Sequence, residues 1–233
     1  MKELKAKELV IKYLLEKNKH DIAIPEISVG KNNSVRSDIF AINGDITIYE
    51  IKTEADSLTR LDNQLKYYRQ YANKIYVVVD KKFLNKLKIN DNIGIYELKE
   101  NTIKLLREAV PFSVKTDHYL DYWWTKEYKE ILRGISGFSK INNHVDGRNA
   151  IKSILTDEEI KNLTLFRLKE RYKNESEKIK KAIAESLTLS DIFKKREYVI
   201  NPKVTPLKDI PFGELRTISL QGLCNYEALI KTS

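Results

Sequence analysis

The sequence predicts an α/β fold: a mixed sheet with helices packed on it, followed by a mainly helical C-terminal region. Three observations carry that expectation. An Asn43-Gly44-Asp45 turn sits between two strand-like runs, and Asn and Gly accept the positive φ of a tight hairpin. Residues 75–80 (Ile-Tyr-Val-Val-Val-Asp) form a short, almost wholly apolar run, as expected of an interior strand covered on both faces. Helix-period segments flank these strands, and the order of elements points to a layered sandwich.

Residues 2–17 read as an amphipathic helix, with Leu4, Ile11 and Leu15 at helical spacing and Glu8 interrupting the same stripe. Residues 21–29 read as a strand, and Pro25 assigns it to an edge or a bulge. Residues 30–34 are a turn and 35–43 a second strand. After the Asn43-Gly44 turn comes a third strand, 46–52. It places Ile46, Ile48, Glu50 and Lys52 on one face and Thr47, Tyr49 and Ile51 on the other. A helix follows over about 57–72, with Leu58, Leu61, Leu65 and Tyr68 in period. Shorter strands are expected at 93–98 and 102–106.

The pattern changes near residue 114, so two domains are expected, 1–114 and 115–233. In the second, 119–132 reads as an aromatic-rich helix carrying Trp123 and Trp124. Thr156 with Glu159 has the form of a capping box opening a long helix to about 187. A further helix is expected from Ser190, and a last apolar segment at 215–230.

Composition excludes several function classes. In 233 residues, 42% are hydrophobic and 32% charged, enough apolar material for a packed core. No apolar run approaches the ~20 residues that cross a bilayer, and the first residues lack the apolar stretch of a signal peptide. The reading is therefore a cytoplasmic protein with no membrane partner. The single cysteine, Cys224, rules out an internal disulfide framework and a thiolate zinc site, and its apolar surroundings predict burial. His20, His118 and His144 form no ligand pair, and no Walker-type phosphate loop is present. The formal charge is +9, and between residues 66 and 107 there are ten Lys or Arg against four Asp or Glu. Such an excess suits a polyanion, nucleic acid first. Trp123 and Trp124 with Tyr119, Tyr122 and Tyr128 suit either base stacking or a core.

One constellation carries chemistry. With a two-residue turn at Gly44-Asp45, residue 38 pairs near residue 51, which sets Asp38 beside Glu50 and Lys52 at the strand end remote from the hairpin. Two carboxylates and an ammonium converge there. Oxygen donors of this kind suit a hard cation such as Mg²⁺ or Mn²⁺, and a neighbouring Lys can orient a water and stabilise charge on a phosphate.

Asp38 followed by Glu50-Ile51-Lys52 resembles the D…ExK core of the PD-(D/E)xK nuclease superfamily, whose members have a restriction-endonuclease-like fold. The element order over residues 2–80 is similar to that family's core, and the resemblance covers roughly the first 110 residues. The segments Arg36-Ser37-Asp38-Ile39 and Tyr49-Glu50-Ile51-Lys52 are similar to small members associated with phages and mobile elements. Ser37 stands where the name-giving Pro would be.

The resemblance implies a metal-dependent deoxyribonuclease. Asp38, Glu50 and the Ile51 carbonyl would hold Mg²⁺ or Mn²⁺, Lys52 would activate the attacking water, and Gln64 in the next helix would support the site. Either Glu8 or Glu26 would add a further carboxylate. DNA is favoured over RNA as partner on this ground alone, and a homodimer would match relatives that cut both strands. The alternative is a catalytically weak or inactive module of phage or mobile-element origin that binds nucleic acid or protein in a regulatory or anti-defence role.

Overall fold

The computed structural model describes residues 1–17, 20–30, 35–138, 141–189, 192–193 and 202–210. Most of the 30–34 turn, the start of the helix expected from Ser190, the 215–230 segment and Cys224 lie outside the described residues. The chain divides into two units, one of Met1–Lys115 with Tyr172–Val199, the other of Thr116–Arg171 with Ile200–Ser233.

The first unit opens with helix α1 (Glu3–Glu16). Strands β1 (Ile22–Pro25), β2 (Ser28–Val29), β3 (Val35–Arg36), β4 (Ile39–Ile42) and β5 (Ile46–Lys52) follow, then helix α2 (Leu61–Tyr71) and strand β6 (Lys74–Asp80). A one-turn helix α3 (Lys81–Leu84) and strands β7 (Gly94–Leu98) and β8 (Ile103–Arg107) complete the sheet. Its six strands run in the order β1-β4-β5-β6-β7-β8, and β2 and β3 form a separate two-stranded sheet. β5 and β6 pair in parallel, as do β6 and β7, while the remaining neighbours are antiparallel. The sheet is mixed, as expected.

Both central strands are covered on their two faces. All seven residues of β5 are buried, and so is the Ile75–Val79 run of β6. At about 25 cal/mol per Å² of apolar surface removed from water, such strands dominate the stability of the unit. On one face Tyr49 stacks on Tyr76, with ring centroids 5.1 Å apart, and Tyr96 joins them. Tyr13 of α1 meets Tyr96 edge-on. Gly94 makes this packing fit: a Cβ there would lie 2.2 Å from the Tyr76 ring and 3.0 Å from the Ala109 nitrogen. Gly94→Ala therefore overpacks the core and is expected to lower stability by about 1–3 kcal/mol. The midpoint of urea unfolding reads this directly, and an unchanged midpoint would refute the packing argument.

Several boundaries differ from the sequence reading. The strand expected over 21–29 breaks after Pro25, where Glu26 adopts φ +55°. The strand expected over 35–43 breaks at Ser37-Asp38, because Ser37 turns inward: its N–H and hydroxyl both donate to the Ile27 carbonyl. The hairpin is a three-residue loop, since Ile42 pairs with Ile46 and Gly44 takes φ +74°. Continued one residue beyond the Ile39–Tyr49 pair, this register sets Asp38 opposite Glu50, one place from the expected position. The buried stripe of α1 is Ala6, Lys7, Val10, Ile11 and Leu14. It is rotated from the expected one and leaves Glu8 half-buried.

In the second unit the helix expected over 119–132 is two helices, α4 (Thr116–Leu120) and α5 (Thr125–Ile131). Trp124 interrupts them because it is the N-cap of α5, with its N–H held by the Glu127 carboxylate at 2.8 Å. Helix α6 (His144–Ile154) follows, capped by the Asn143 side chain. The capping box at Thr156 forms: Thr156 N–H and hydroxyl donate to Glu159, and the Glu159 N–H returns to Thr156. It opens helix α7 (Asp157–Ala184), whose residues through Arg171 belong to this unit. Tyr119, Tyr122, Trp123 and Tyr128 are buried. Trp123 donates to the Thr164 hydroxyl, and the His144 ring lies on the Trp123 carbonyl and edge-on to Tyr128. These aromatics form a core and present no row for stacking bases.

Candidate functional site

The site lies where β5 leaves the sheet. The alternation of a strand puts Glu50 and Lys52 on the same face of β5, and both are buried, Glu50 at 2% exposure. Such burial requires partners. Lys52 Nζ donates to Glu50 Oε1 at 2.6 Å and to Gln64 Oε1 at 3.2 Å. Gln64 Nε2 donates to the same Glu50 oxygen at 2.7 Å. The Tyr68 hydroxyl donates to the other Glu50 oxygen at 2.8 Å and lies 3.1 Å from the Arg36 carbonyl. Gln64 and Tyr68 are i and i+4 on α2, so one helix face delivers both to the carboxylate.

Asp38 sits in the break before β4. Its Oδ2 accepts the Ile51 N–H at 2.8 Å, so its carboxylate reaches across the pair onto β5. Its Oδ1 lies 3.4 Å from Lys7 Nζ. Lys7 also donates to Glu3 at 2.6 Å and to Glu26 at 2.9 Å. Glu26 is tied in further by its N–H, which donates to the Asp38 carbonyl, and by Arg36, 3.3 Å away. The structure thus gathers Asp38, Glu50, Lys52 and Gln64, with Glu26 joined through Lys7. Glu8 faces other groups, with Lys12 at 3.7 Å and the Leu189 N–H at 3.4 Å.

Two members escape the sequence reading. Tyr68 reads as a member of an apolar helix stripe, and nothing in its spacing marks its hydroxyl. Lys7 is 3% exposed although it is a lysine. Its spacing from Leu4 and Ile11 placed it on the buried side and was the available signal.

Electrostatics mark Asp38 as the stressed group. Burial and then the neighbouring Glu50 charge push its carboxyl up to about 6, against the opposing pull of the Ile51 N–H, Lys7 and Lys52. The folded chain therefore holds this proton more tightly than the unfolded chain does. The group's contribution is most favourable below pH 4 and becomes a penalty as pH rises from about 4 to 6. A shift of roughly two units corresponds to about 3 kcal/mol above that window. Asp38→Asn keeps an oxygen for the Ile51 N–H and removes the charge. In buffer with EDTA it is expected to raise stability at pH 7.5 by about 1–3 kcal/mol, with the gain vanishing below pH 4. Urea midpoints at the two pH values check this. An equal shift at both would refute it.

The donor set fits a divalent cation. The Glu50 charge that raises the proton affinity of Asp38 would be relieved by a positive ion between them, and carboxylate with carbonyl oxygen is the chemistry Mg²⁺ prefers. Among the described residues no three Asp, Glu, His or Cys side chains group as a metal site. The protein ligands would be Asp38, Glu50 and the Ile51 carbonyl, which leaves positions for water or phosphate.

The family model described as Bacteriophage P4 protein cII matches residues 1–194. "Protein cII" of Enterobacteria phage P4 is 28% identical over 182 residues, covering 74% of this chain and 68% of that protein. A solved structure described as SPO1766, a protein of unknown function from Silicibacter pomeroyi, is similar with a TM-score of 0.39 and 15% identity, covering 49% of this chain and 76% of that one.

Proposed function

We propose, from the premise that the chain belongs to the Bacteriophage P4 protein cII family, that its first unit hydrolyses phosphodiester bonds in DNA with the help of a divalent cation. The observation that supports this reading most is the convergence of Asp38, Glu50, Lys52 and Gln64 at one end of β5. A bound Mg²⁺ or Mn²⁺ would supply a Lewis acid for a phosphate oxygen. Asp38 and Glu50 would hold it. Lys52 orients the attacking water through Nζ and stabilises charge on the phosphate. Gln64 fixes the Lys52 ammonium in place. Exposed basic groups on the same unit, Lys66, Lys81, Lys82 and Lys86 among them, suit the DNA backbone.

A second reading is a phage regulatory module that binds nucleic acid or protein without cutting. The comparisons lend their weight to it, because the names of the family and its P4 member state a phage origin and no activity. One structural observation favours it too: both oxygens of Glu50 already have donors.

Incubation with plasmid, linear, single-stranded and branched DNA, in Mg²⁺, Mn²⁺ or EDTA, separates the two. Metal-dependent cutting that disappears in Lys52→Ala and Asp38→Asn supports the nuclease. DNA binding without cutting of any substrate overturns it in favour of the binding module.

A further inference from the structure

The charge pattern beside the site does not stop at the two carboxylates. Glu26 and Asp38 approach each other at the strand interruption Ser37-Asp38, where the Glu26 N–H donates to the Asp38 carbonyl. Two acidic side chains in that position would ordinarily invite a cation. The cation is already there: Lys7 Nζ lies 2.9 Å from Glu26 Oε1 and 3.4 Å from Asp38 Oδ1, and 2.6 Å from Glu3. Its side chain is only 4% exposed. A lysine loses much of its hydration and rotamer freedom at such a place.

We infer that Lys7 is a built-in second cation, and that the site takes one divalent ion, not two. The inference rests on the nuclease reading and deepens it. Two-ion phosphodiesterases hold their ions about 3.5–4 Å apart and bridge them with a shared carboxylate. Here Asp38 is the shared carboxylate. Its Oδ2 accepts the Ile51 N–H, with the charges of Glu50 and Lys52 close by, and its Oδ1 faces Lys7. The Lys7 side is filled by a fixed charge that no chelator removes. Glu26 then serves the lysine and is no ligand of the ion. Lys7 is a positioning residue. It neutralises one side of Asp38 and leaves the other side for the ion.

Mn²⁺ titration of the full chain, read by the loss of the free-ion electron paramagnetic resonance signal, tests this without any cutting assay. The wild type is expected to bind one Mn²⁺ per chain. Lys7→Met, which keeps the buried stem and removes the charge, is expected to bind two, and Lys7→Arg one. Glu26→Gln is expected to change the affinity of the single ion by less than about threefold, whereas Glu50→Gln loses it. Two ions in the wild type, or a tenfold weaker ion in Glu26→Gln, would overturn the inference and leave the nuclease reading intact. No ion bound by the wild type overturns the nuclease reading itself. The wild-type stoichiometry and the Glu26 variant keep the test decisive if Lys7→Met does not fold.

Discussion

Glu127→Gln is expected to lower the stability of the second unit by about 3–5 kcal/mol. Glu127 is 1% exposed on α5 and meets two buried arginines of α7, Arg167 and Arg171. Its Oε1 accepts from Arg167 at 3.1 Å and from Arg171 Nε at 3.0 Å. Its Oε2 accepts from Arg171 and from the Trp124 N–H. Arg171 also donates to the Tyr122 carbonyl at 2.8 Å and lies over the Trp124 ring at 4.4 Å. Gln keeps the shape and one acceptor oxygen but cancels the charge. Two guanidiniums then remain buried after losing the carboxylate they share, while Arg167 keeps Glu170 and Arg171 keeps the Tyr122 carbonyl. The cost of breaking such a pair is mainly that of the charge left behind, not the net worth of the bond. Both tryptophans of the chain, Trp123 and Trp124, belong to this unit, so their fluorescence during urea unfolding reads it selectively. A shift below about 1 kcal/mol would show that water reaches the arginines and that the network is not the dry one described.

This network also shows what a sequence conceals. Glu127 and Arg171 are 44 positions apart and lie on helices whose polar residues look like ordinary solvated faces. Nothing local distinguishes a glutamate that will meet two buried arginines from one that will meet water. By contrast, the 46–52 strand, the apolar 75–80 run and the Thr156 capping box were legible, because each is set by residues within one turn or one pleat of each other. The hairpin was legible as a hairpin and misjudged by one residue in its register. Loop length depends on φ/ψ choices that Asn43-Gly44-Asp45 permits in more than one way. That single step moves Asp38 from Ile51 to Glu50, yet its side chain still reaches the Ile51 N–H.

The site was legible to the same degree. Asp38, Glu50 and Lys52 lie together as the hairpin and the strand alternation implied, and Gln64, which entered only through the nuclease resemblance, joins them. Glu26 and Glu8 could not be ranked from the sequence, because the choice depends on which way α1 rolls. The buried stripe turned out to contain Lys7, and Lys7 draws Glu26 toward Asp38. A rotation by one residue on a helix is worth 100°, and no pattern in 14 residues with mixed lysines and leucines fixes it that finely.

The largest expected effect on activity belongs to Lys52. Under the nuclease reading, Lys52→Ala is expected to lower the cleavage rate about 10²–10⁴-fold, the range for losing a positioned proton-transfer or charge-stabilising group. The size follows from what is left behind. Without Lys52 Nζ, Glu50 keeps Gln64 and Tyr68 as donors, so the carboxylate stays in place and the site keeps its outline. The ammonium that would face a reacting phosphate is gone. DNA binding in EDTA should change by less than about threefold, because the buried Lys52 head is one charge beside many exposed ones. A rate loss with binding intact separates chemistry from docking. Lys52→Gln guards against misfolding, since its amide can still bond Glu50 while carrying no charge, and it should be as slow as Lys52→Ala. If either variant cuts within tenfold of the wild type, Lys52 is only the counter-ion that allows Glu50 to be buried. The convergence at the end of β5 would then be architecture and not a catalytic centre.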